Sequence, residues 1–216
     1  MPSILLIGAT GLIGQAVLAL FAVKENNFEI RALTRRDHVS FDSKKNIVRH
    51  IVDFDRLEDF KENIIGDILV CALGTTIRKA GTKEKFYQVD HDYPLTLAKL
   101  AIENGARKMI LVSSVGADPK ARNYYLQTKG RLEKDLEALP FEELHILRPS
   151  LLMGKREEFR PAEEIAKKIA RVTTFFTPAK YKPIYAQQLA AAAYAVARQG
   201  EKGTHVYEGK RLRALI

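Results

Sequence analysis

The stretch SILLIGATGLIGQAVLALF, Ser3–Phe21, places three glycines between an apolar run and a helical pattern. Its apolar start predicts a buried strand, and Leu12–Lys24 predicts a helix. Glycine inside a helix or strand costs about 0.5–1 kcal/mol relative to alanine. The presence of three glycines where the strand turns into the helix therefore requires an explanation; they are Gly8, Gly11 and Gly14.

The rest of the chain continues this alternation of strands and helices. Strands are predicted at Ser3–Ile7, Glu29–Leu33 and Ile47–Val52, and in the runs DILVCAL, KMILVSS, EELHILRPS and THVYEG. Helices are predicted at Arg56–Asn63, Ala162–Arg171 and Ala186–Arg198, and in DYPLTLAKLAIENG and NYYLQTKGRLEKDLEALP. The alternation predicts an α/β fold, a doubly wound parallel sheet with helices on both faces. We expect a single Rossmann domain over residues 1–216, with residues 151–185 as a small substrate-side insertion.

The composition limits the class of protein. At 216 residues, with 46% hydrophobic and 28% charged residues, the chain is typical of one globular domain. The lack of an apolar run of about 20 residues argues against a membrane span, and the N-terminus lacks the basic region of a signal peptide. Cys71 is the single cysteine, which indicates a reducing compartment, so we expect a cytoplasmic protein. The sequence leaves open whether it is a monomer or a dimer.

The net charge of +9 raises the question of a nucleic-acid partner. The basic residues are dispersed, however, and acidic residues interrupt the densest region, GKREEFRPAEEIAKKIAR. We therefore expect a solvated basic surface with one local anion site and no nucleic-acid binding. The five histidines are scattered without ligand spacing, so no metal site is predicted.

The glycine turn fits a dinucleotide site better than a turn without a ligand. Gly8 permits the tight turn after the strand, Gly11 lets a pyrophosphate approach the backbone, and Gly14 allows close helix–strand packing. The start of the helix adds free N–H groups and the positive end of the helix dipole. A strand before the glycines, a helix after them and the alternation beyond favour the dinucleotide interpretation.

Further motifs follow in order: VDF at Val52–Phe54, CALGTT at Cys71–Thr76, SSVGAD at Ser113–Asp118 and YLQTK at Tyr125–Lys129. With the G-x-x-G-x-x-G turn, the chain resembles the short-chain dehydrogenase/reductases of extended or atypical type, and more narrowly their NADPH-binding Tat-interacting protein group. The resemblance implies cofactor contacts from Gly8, Ala9, Thr10, Gly11, Leu12, Ile13, Gly14, Asp53, Phe54, Ala72, Leu73, Gly74, Ser113, Leu152 and Arg160. Arg160 has the alternative of a salt bridge to a neighbouring glutamate.

The end of the second strand predicts which cofactor is preferred. Thr34, Arg35 and Arg36 stand where NAD sites usually carry an acidic residue, and Asp37 follows too late for that role. Arginine can bind a phosphate through two N–H groups at once, so the sequence predicts NADPH, with both arginines at its 2′-phosphate.

Tyr125 and Lys129 are four residues apart on a predicted helix, so they share one helix face. A lysine cation near a phenol favours the phenolate. The resemblance implies that Tyr125 protonates a carbonyl oxygen, Lys129 also holds the nicotinamide ribose, and Ser114 hydrogen-bonds the substrate oxygen. Ser113 is the alternative hydroxyl. Tyr124 lacks a lysine four residues on.

One position departs from the family pattern. The family often has an asparagine in the fourth helix that supports a proton relay, and Asp90 stands there, so we expect the relay to differ or be missing. The leading hypothesis is an NADPH-dependent reductase of a small carbonyl compound. The second is a non-catalytic NADPH-binding sensor or scaffold. A nucleotide-sugar epimerase or dehydratase is the third, and the short C-terminal part disfavours it.

Overall fold

A seven-stranded sheet, parallel throughout, organises the chain. The computed structural model describes residues 1–23, 27–36, 46–153 and 182–216. The sheet strands are β1 (Ser3–Ile7), β2 (Glu29–Thr34), β3 (Ile47–Ile51), β4 (Ile68–Cys71), β5 (Lys108–Val112), β6 (Glu143–Arg148) and β9 (Gly203–Glu208). Their order is β3-β2-β1-β4-β5-β6-β9, and every neighbouring pair is parallel. Two short strands, β7 (Leu152–Met153) and β8 (Ile184–Tyr185), pair separately. The predicted fold class is confirmed.

The central strands alternate their side chains between two cores. In β1, Ile4 and Leu6 pack into one core, whereas Leu5 and Ile7 pack into the other. All four side chains are fully buried because helices cover both faces of the sheet. This arrangement explains why the central strands are continuous apolar runs.

The helices divide between the two faces of the sheet. They are α1 (Leu12–Phe21), α2 (Ile77–Ala80), α3 (Lys83–Tyr87), α4 (Tyr93–Glu103), α5 (Tyr124–Glu137), α6 (Ala186–Arg198) and α7 (Lys210–Arg213), with a 3-10 segment at Phe54–Asn63. Buried residues of α1 and α6 join the core that contains Ile4, and those of α4 and α5 join the core that contains Leu5. The predicted bounds of Ala186–Arg198 are confirmed.

The sequence interpretation missed one helical region. Helices α2 and α3 begin at side-chain caps from Thr76 and Thr82, and a π-helical turn, Gln88–Asp92, joins α3 directly to α4. Phe86 is the one buried residue of α2 and α3. An apolar stripe, the main sign of a surface helix, is therefore missing from this stretch of sequence.

Two expectations concern residues beyond the described ranges. The predicted helix Ala162–Arg171 lies outside them, as does most of the predicted insertion, residues 151–185. Within the ranges that are described, no helix combines the length and apolar character needed to cross a bilayer.

Candidate functional site

Two of the three glycines in the first turn are required by the chain itself. Gly8 has a φ of +81°, and a Cβ atom there would lie 2.5 Å from the carbonyl oxygen of Ala72. A Cβ atom on Gly14 would lie 2.0 Å from the carbonyl oxygen of Gly8. Side chains at these positions would collide with backbone, so the turn and the seat of α1 both depend on glycine.

Gly11 has no such constraint. Its φ is −79°, and among the described residues a Cβ atom there would meet only the Gly8 carbonyl oxygen, at 3.4 Å. Gly11 is also the N-cap of α1, and no side chain caps this helix, unlike α3 and α5, which are capped by Thr82 and Asn123. The helix start therefore retains N–H groups that can bind an anion, beside a glycine whose own chain does not need it.

The remaining residues of the first turn surround this helix start. Ala9 is buried, Thr10 is exposed, and Leu12 and Ile13 are partly buried in the first turn of α1. The side chain of Gln15 donates a hydrogen bond to the carbonyl oxygen of Thr10 at 3.2 Å. This hydrogen bond from α1 helps to hold the glycine turn in place.

A second loop, Ala72–Thr75, follows β4 and lies next to the glycine turn. Gly74 is exposed, and a Cβ atom there would lie 3.3 Å from Oδ1 of Asp90 and 3.6 Å from Nζ of Lys129. The backbone N–H of Thr75 donates to Oδ2 of Asp90 at 2.7 Å. The loop is therefore held directly over these two charged side chains.

Asp90 and Lys129 form a buried ion pair. Nζ of Lys129 lies 2.8 Å from Oδ1 of Asp90, and the two residues are 3% and 0% exposed. Burial alone would lower the pKa of Lys129, but the charges of Asp90 and Tyr125 outweigh that effect and raise it above its ordinary value. Lys129 thus keeps its proton in the interior because a carboxylate lies against it.

Tyr125 lies one helical turn before Lys129 on α5 and is partly buried. Its ring packs against Phe86 with 5.9 Å between centroids. The neighbouring Tyr124 donates its hydroxyl to the backbone carbonyl of Lys83 at 3.4 Å, and the ammonium of Lys83 lies 5.3 Å from the ring centre. Tyr125, four residues before Lys129, shares its helix face, whereas Tyr124 does not.

The two serines after β5 have different surroundings. Ser113 is buried and donates its hydroxyl to Glu133, which also accepts a hydrogen bond from Nε of Arg148 at 3.1 Å. Ser114 is partly exposed, and within the ranges that the structure describes its hydroxyl reaches only the carbonyl of Val115, at 3.4 Å. Ser114 therefore has the hydroxyl that is freer to bind a ligand.

The carboxyl ends of β2 and β3 form the other side of the site. Arg35 and Arg36 are exposed after β2, and Asp53 caps the next segment by accepting the Asp55 N–H at 3.0 Å. Tyr93 packs on the buried Phe54 at 5.5 Å between ring centroids. The charges of Asp55 and Asp53 raise the pKa of the Tyr93 hydroxyl, whereas the charge of Arg35 lowers it.

Tyr93 also donates its hydroxyl to Asp55. Burial and this hydrogen bond raise the pKa of Tyr93. The sequence interpretation missed this residue, and the aromatic at the start of the predicted helix was the available signal. Leu152 lies partly buried in β7, whereas Arg160 lies outside the described residues.

The carboxyl ends of parallel strands share one edge of a sheet, so the glycine turn, the loop after β4, Ser114 and the Arg35 region lie along that edge. The pairing of Asp90 with Lys129 was not predicted, since 39 residues separate them in sequence. In the described part of the chain, no group of three or more His, Cys, Asp or Glu residues could hold a metal ion.

Comparison with known proteins identifies the family. The HIM1 family model matches residues 38–183 of the chain. This chain belongs to the HIM1 family. Among its relatives, Protein HTATIP2 of Rattus norvegicus is 37% identical over 169 residues, covering 77% of this chain and 69% of the relative. Protein FMP52, mitochondrial, of Candida albicans is 32% identical over 209 residues, covering 93% and 90%.

Solved structures share the fold of this HIM1 protein at low sequence identity. MoeE5 in complex with UDP-glucuronic acid and NAD superposes with a TM-score of 0.74 at 15% identity, covering 96% of this chain and 76% of that one. A putative NAD-dependent epimerase/dehydratase from Bacillus halodurans has a TM-score of 0.69 at 19% identity, covering 92% and 89%. The chain therefore shares the Rossmann-like fold of these structures, which agrees with the predicted fold class.

The relatives correct one prediction. The sequence predicted a cytoplasmic protein, but the FMP52 relatives from several fungi, including Emericella nidulans and Candida albicans, are named mitochondrial. The prediction was wrong because it depended on a single cysteine and on a missing secretory signal. A single cysteine does not distinguish one reducing compartment from another.

Proposed function

We propose that this protein is an NADPH-dependent oxidoreductase that reduces a small carbonyl compound with Tyr125 as general acid. One observation carries the proposal: Lys129 is buried against Asp90 one helical turn after Tyr125 on the same helix, beside the loop that follows β4. Burying a charged lysine costs free energy of folding. Buried charged groups of this kind cluster at functional sites, so the pair points to a catalytic site.

The proposed cofactor site uses the sheet edge. The free N–H groups at the start of α1 would bind the pyrophosphate, Asp53 and Phe54 would contact the adenosine, and Ala72–Gly74 would follow the ribose. Arg35 and Arg36 would bind the 2′-phosphate that distinguishes NADPH from NADH. The room at Gly11, which the chain's own backbone does not require, fits a bound phosphate. Solved neighbours of the same fold contain NAD, which supports a nicotinamide dinucleotide here.

In the proposed chemistry, the bound reduced nicotinamide supplies a hydride to the substrate. Tyr125 donates its phenolic proton to the carbonyl oxygen, and Ser114 donates a hydrogen bond to the same oxygen. Lys129 would stabilise the resulting phenolate and hold the nicotinamide ribose. Leu152 would add a contact on the nicotinamide and substrate side of the proposed site. Arg160, which lies outside the described residues, would add another, and both belong to the same single domain.

The test is a substitution at Tyr125. Tyr125→Phe removes the proton donor while keeping the ring that packs on Phe86, so turnover should fall by about 10²–10⁴-fold, with NADPH affinity nearly unchanged. Tyr124→Phe is the matched control and should retain turnover. Lys129→Met should weaken both turnover and NADPH binding. NADPH consumption is measured with a panel of aldehydes, ketones and quinones, with UDP-sugars included to detect an epimerase or dehydratase.

A second function, an NADPH-binding sensor without catalysis, is favoured by Asp90, whose carboxylate pairs with Lys129. The short-chain dehydrogenase/reductases that the chain resembles often have asparagine at this position. If the unmodified protein binds NADPH but consumes none across the panel, the sensor proposal replaces the reductase. Unchanged turnover in Tyr125→Phe would instead refute the proposed acid.

A further inference from the structure

Asp90 is held in a single arrangement at the centre of the proposed site. It is fully buried in the π-helical turn, with one carboxylate oxygen bound to the Thr75 N–H and the other 2.8 Å from Nζ of Lys129. π-helical turns inside α-helices occur frequently at functional sites. Gly74 leaves room for both side chains, since a Cβ atom would lie 3.3 Å from Oδ1.

In the described part of the chain, the titratable groups around Lys129 include Asp90 from the π-helical turn, 2.8 Å from Nζ, Tyr125 one turn earlier on its own helix, and Cys71 from β4. Burial raises the pKa of the Cys71 thiol, so that thiol stays neutral. The cluster therefore contains one cation and one carboxylate, and its net charge is zero when Tyr125 carries its proton.

This balance determines what happens when Tyr125 loses its proton. A lone lysine cation would favour the phenolate, but the Asp90 carboxylate cancels much of that attraction and would leave the cluster with a net negative charge. An asparagine at the same position would leave the cation uncompensated. The phenolate would then form an ion pair with Lys129, which avoids an isolated buried charge.

We propose that Asp90 is a positioning residue that acts through Lys129 to keep Tyr125 protonated, and so adapts this site to carbonyl reduction rather than alcohol oxidation. The expected effect on turnover rests on the proposed function. The expected effect on the protonation of Tyr125 concerns the free protein alone. A general acid must hold a proton before the reaction, whereas oxidation needs a base that has lost it.

The first experiment measures tyrosinate in the free protein by ultraviolet difference absorbance at about pH 9. The contribution of Tyr125 is the difference between each protein and the same protein carrying Tyr125→Phe. This contribution should rise roughly threefold or more in Asp90→Asn relative to the unmodified protein. Equal contributions in the two backgrounds would overturn the proposal.

Two further variants make the result specific. Asp90→Ser removes the same charge and still offers an oxygen to the Thr75 N–H, so it carries the same prediction if Asp90→Asn does not fold. Asp90→Asn/Lys129→Met removes both charges and should return the tyrosinate contribution to the level of the unmodified protein. If the increase persists without Lys129, the proposed route through that lysine is wrong.

The second experiment compares the pH dependence of kcat/KM in both directions. In Asp90→Asn, the alkaline limb of carbonyl reduction should move down by about 1–3 pH units, and oxidation of the matching alcohol should accelerate near neutral pH. An unchanged profile in an active enzyme also overturns the proposal. If no carbonyl compound is reduced, the proposed function fails, and the absorbance experiment still decides the role of Asp90.

Discussion

Gly8, Gly11 and Gly14 share one turn but differ in what restricts them. Backbone atoms of the chain fill the space at Gly8 and Gly14, within 2.5 Å and 2.0 Å of an added Cβ atom. At Gly11 the nearest atom would be 3.4 Å away, so the space there is available to a ligand. Substitutions at Gly8 or Gly14 should therefore affect folding, whereas a substitution at Gly11 should affect ligand binding.

Gly11→Val should abolish dinucleotide binding while the protein remains folded. The valine methyl groups would occupy the space proposed for the pyrophosphate, and the φ of −79° at this position suits a side chain. Binding is measured by calorimetry, and folding by thermal unfolding. Gly14→Ala serves as the opposite control, because its methyl group overlaps backbone and should destabilise the fold. Normal NADPH binding by Gly11→Val would mean that the loop is only a turn.

Arg35 tests the cofactor preference. If its guanidinium binds the 2′-phosphate, Arg35→Asp should weaken NADPH binding by about 1.5–3 kcal/mol, the range of a hydrogen bond to a charged group. NADH, which lacks that phosphate, should lose little affinity. Arg107→Asp is the matched control, since Arg107 is exposed and pairs with Glu142 just before β5, at the amino end of the sheet. Equal affinities of the unmodified protein for NADPH and NADH in calorimetric titrations would contradict the assignment.

At the level of elements, helix α5 carries Tyr125 and Lys129, and its seat on the neighbouring loop determines where they lie. A Cβ atom on Gly130 would lie 2.2 Å from the carbonyl carbon of Asp118 and 2.4 Å from the nitrogen of Pro119. The helix thus approaches the loop after Ser114 as closely as backbone permits. Small shifts of α5 would displace both proposed catalytic side chains relative to that serine.

Gly130→Ala should destabilise the protein by about 1–3 kcal/mol or more, because the added methyl group forces the helix away from the loop. Turnover should fall with stability, since Tyr125 and Lys129 move with the helix. Gly200→Ala provides the control: nothing lies within 4 Å of its added Cβ atom. Chemical denaturation of both variants makes the comparison, and equal stability of the two would show that α5 adjusts without cost.

For the whole molecule, the far end of the sheet contains a buried histidine whose protonation opposes folding. His145 in β6 is fully buried, with Nδ1 3.2 Å from the Tyr207 hydroxyl and Nε2 3.3 Å from Glu143. Burial, together with the charges of Lys108 and His205, lowers the pKa of His145, although Glu143 opposes the shift. The folded state therefore favours the neutral ring.

This shift predicts that stability falls as the pH drops below the unfolded-state pKa of about 6.5. Below that value the unfolded chain binds the proton before the folded chain does, so the free energy of unfolding decreases with pH. Above about pH 6.5 the ring is neutral in both the folded and the unfolded chain, so this histidine no longer lowers the free energy of unfolding. His50, whose pKa is also lowered by burial, adds a change of the same sign.

The measurement is the free energy of unfolding in urea between about pH 7.5 and 5.5, above the range in which carboxylates titrate. His145→Gln should reduce the slope of stability against pH in that range. His50→Gln, carried in parallel, separates the contribution of the second histidine. A slope that stays the same in His145→Gln would mean that this ring takes up its proton without opposition from the fold.

The local patterns of the sequence were sufficient for the parallel sheet, the helix Ala186–Arg198 and the glycine turn, because burial on two faces and helical spacing both leave a signal in neighbouring residues. The polar α2–α3 stretch lacked that signal, since its helices depend on threonine caps and one buried Phe86.

The pairing of Asp90 with Lys129, and the occupation of Ser113 by Glu133, were decided only by the tertiary structure. Each joins residues on separate elements, 39 and 20 positions apart. A charge or hydroxyl in a sequence shows what it can bind, but its partner is determined by which elements the fold brings within about 3 Å.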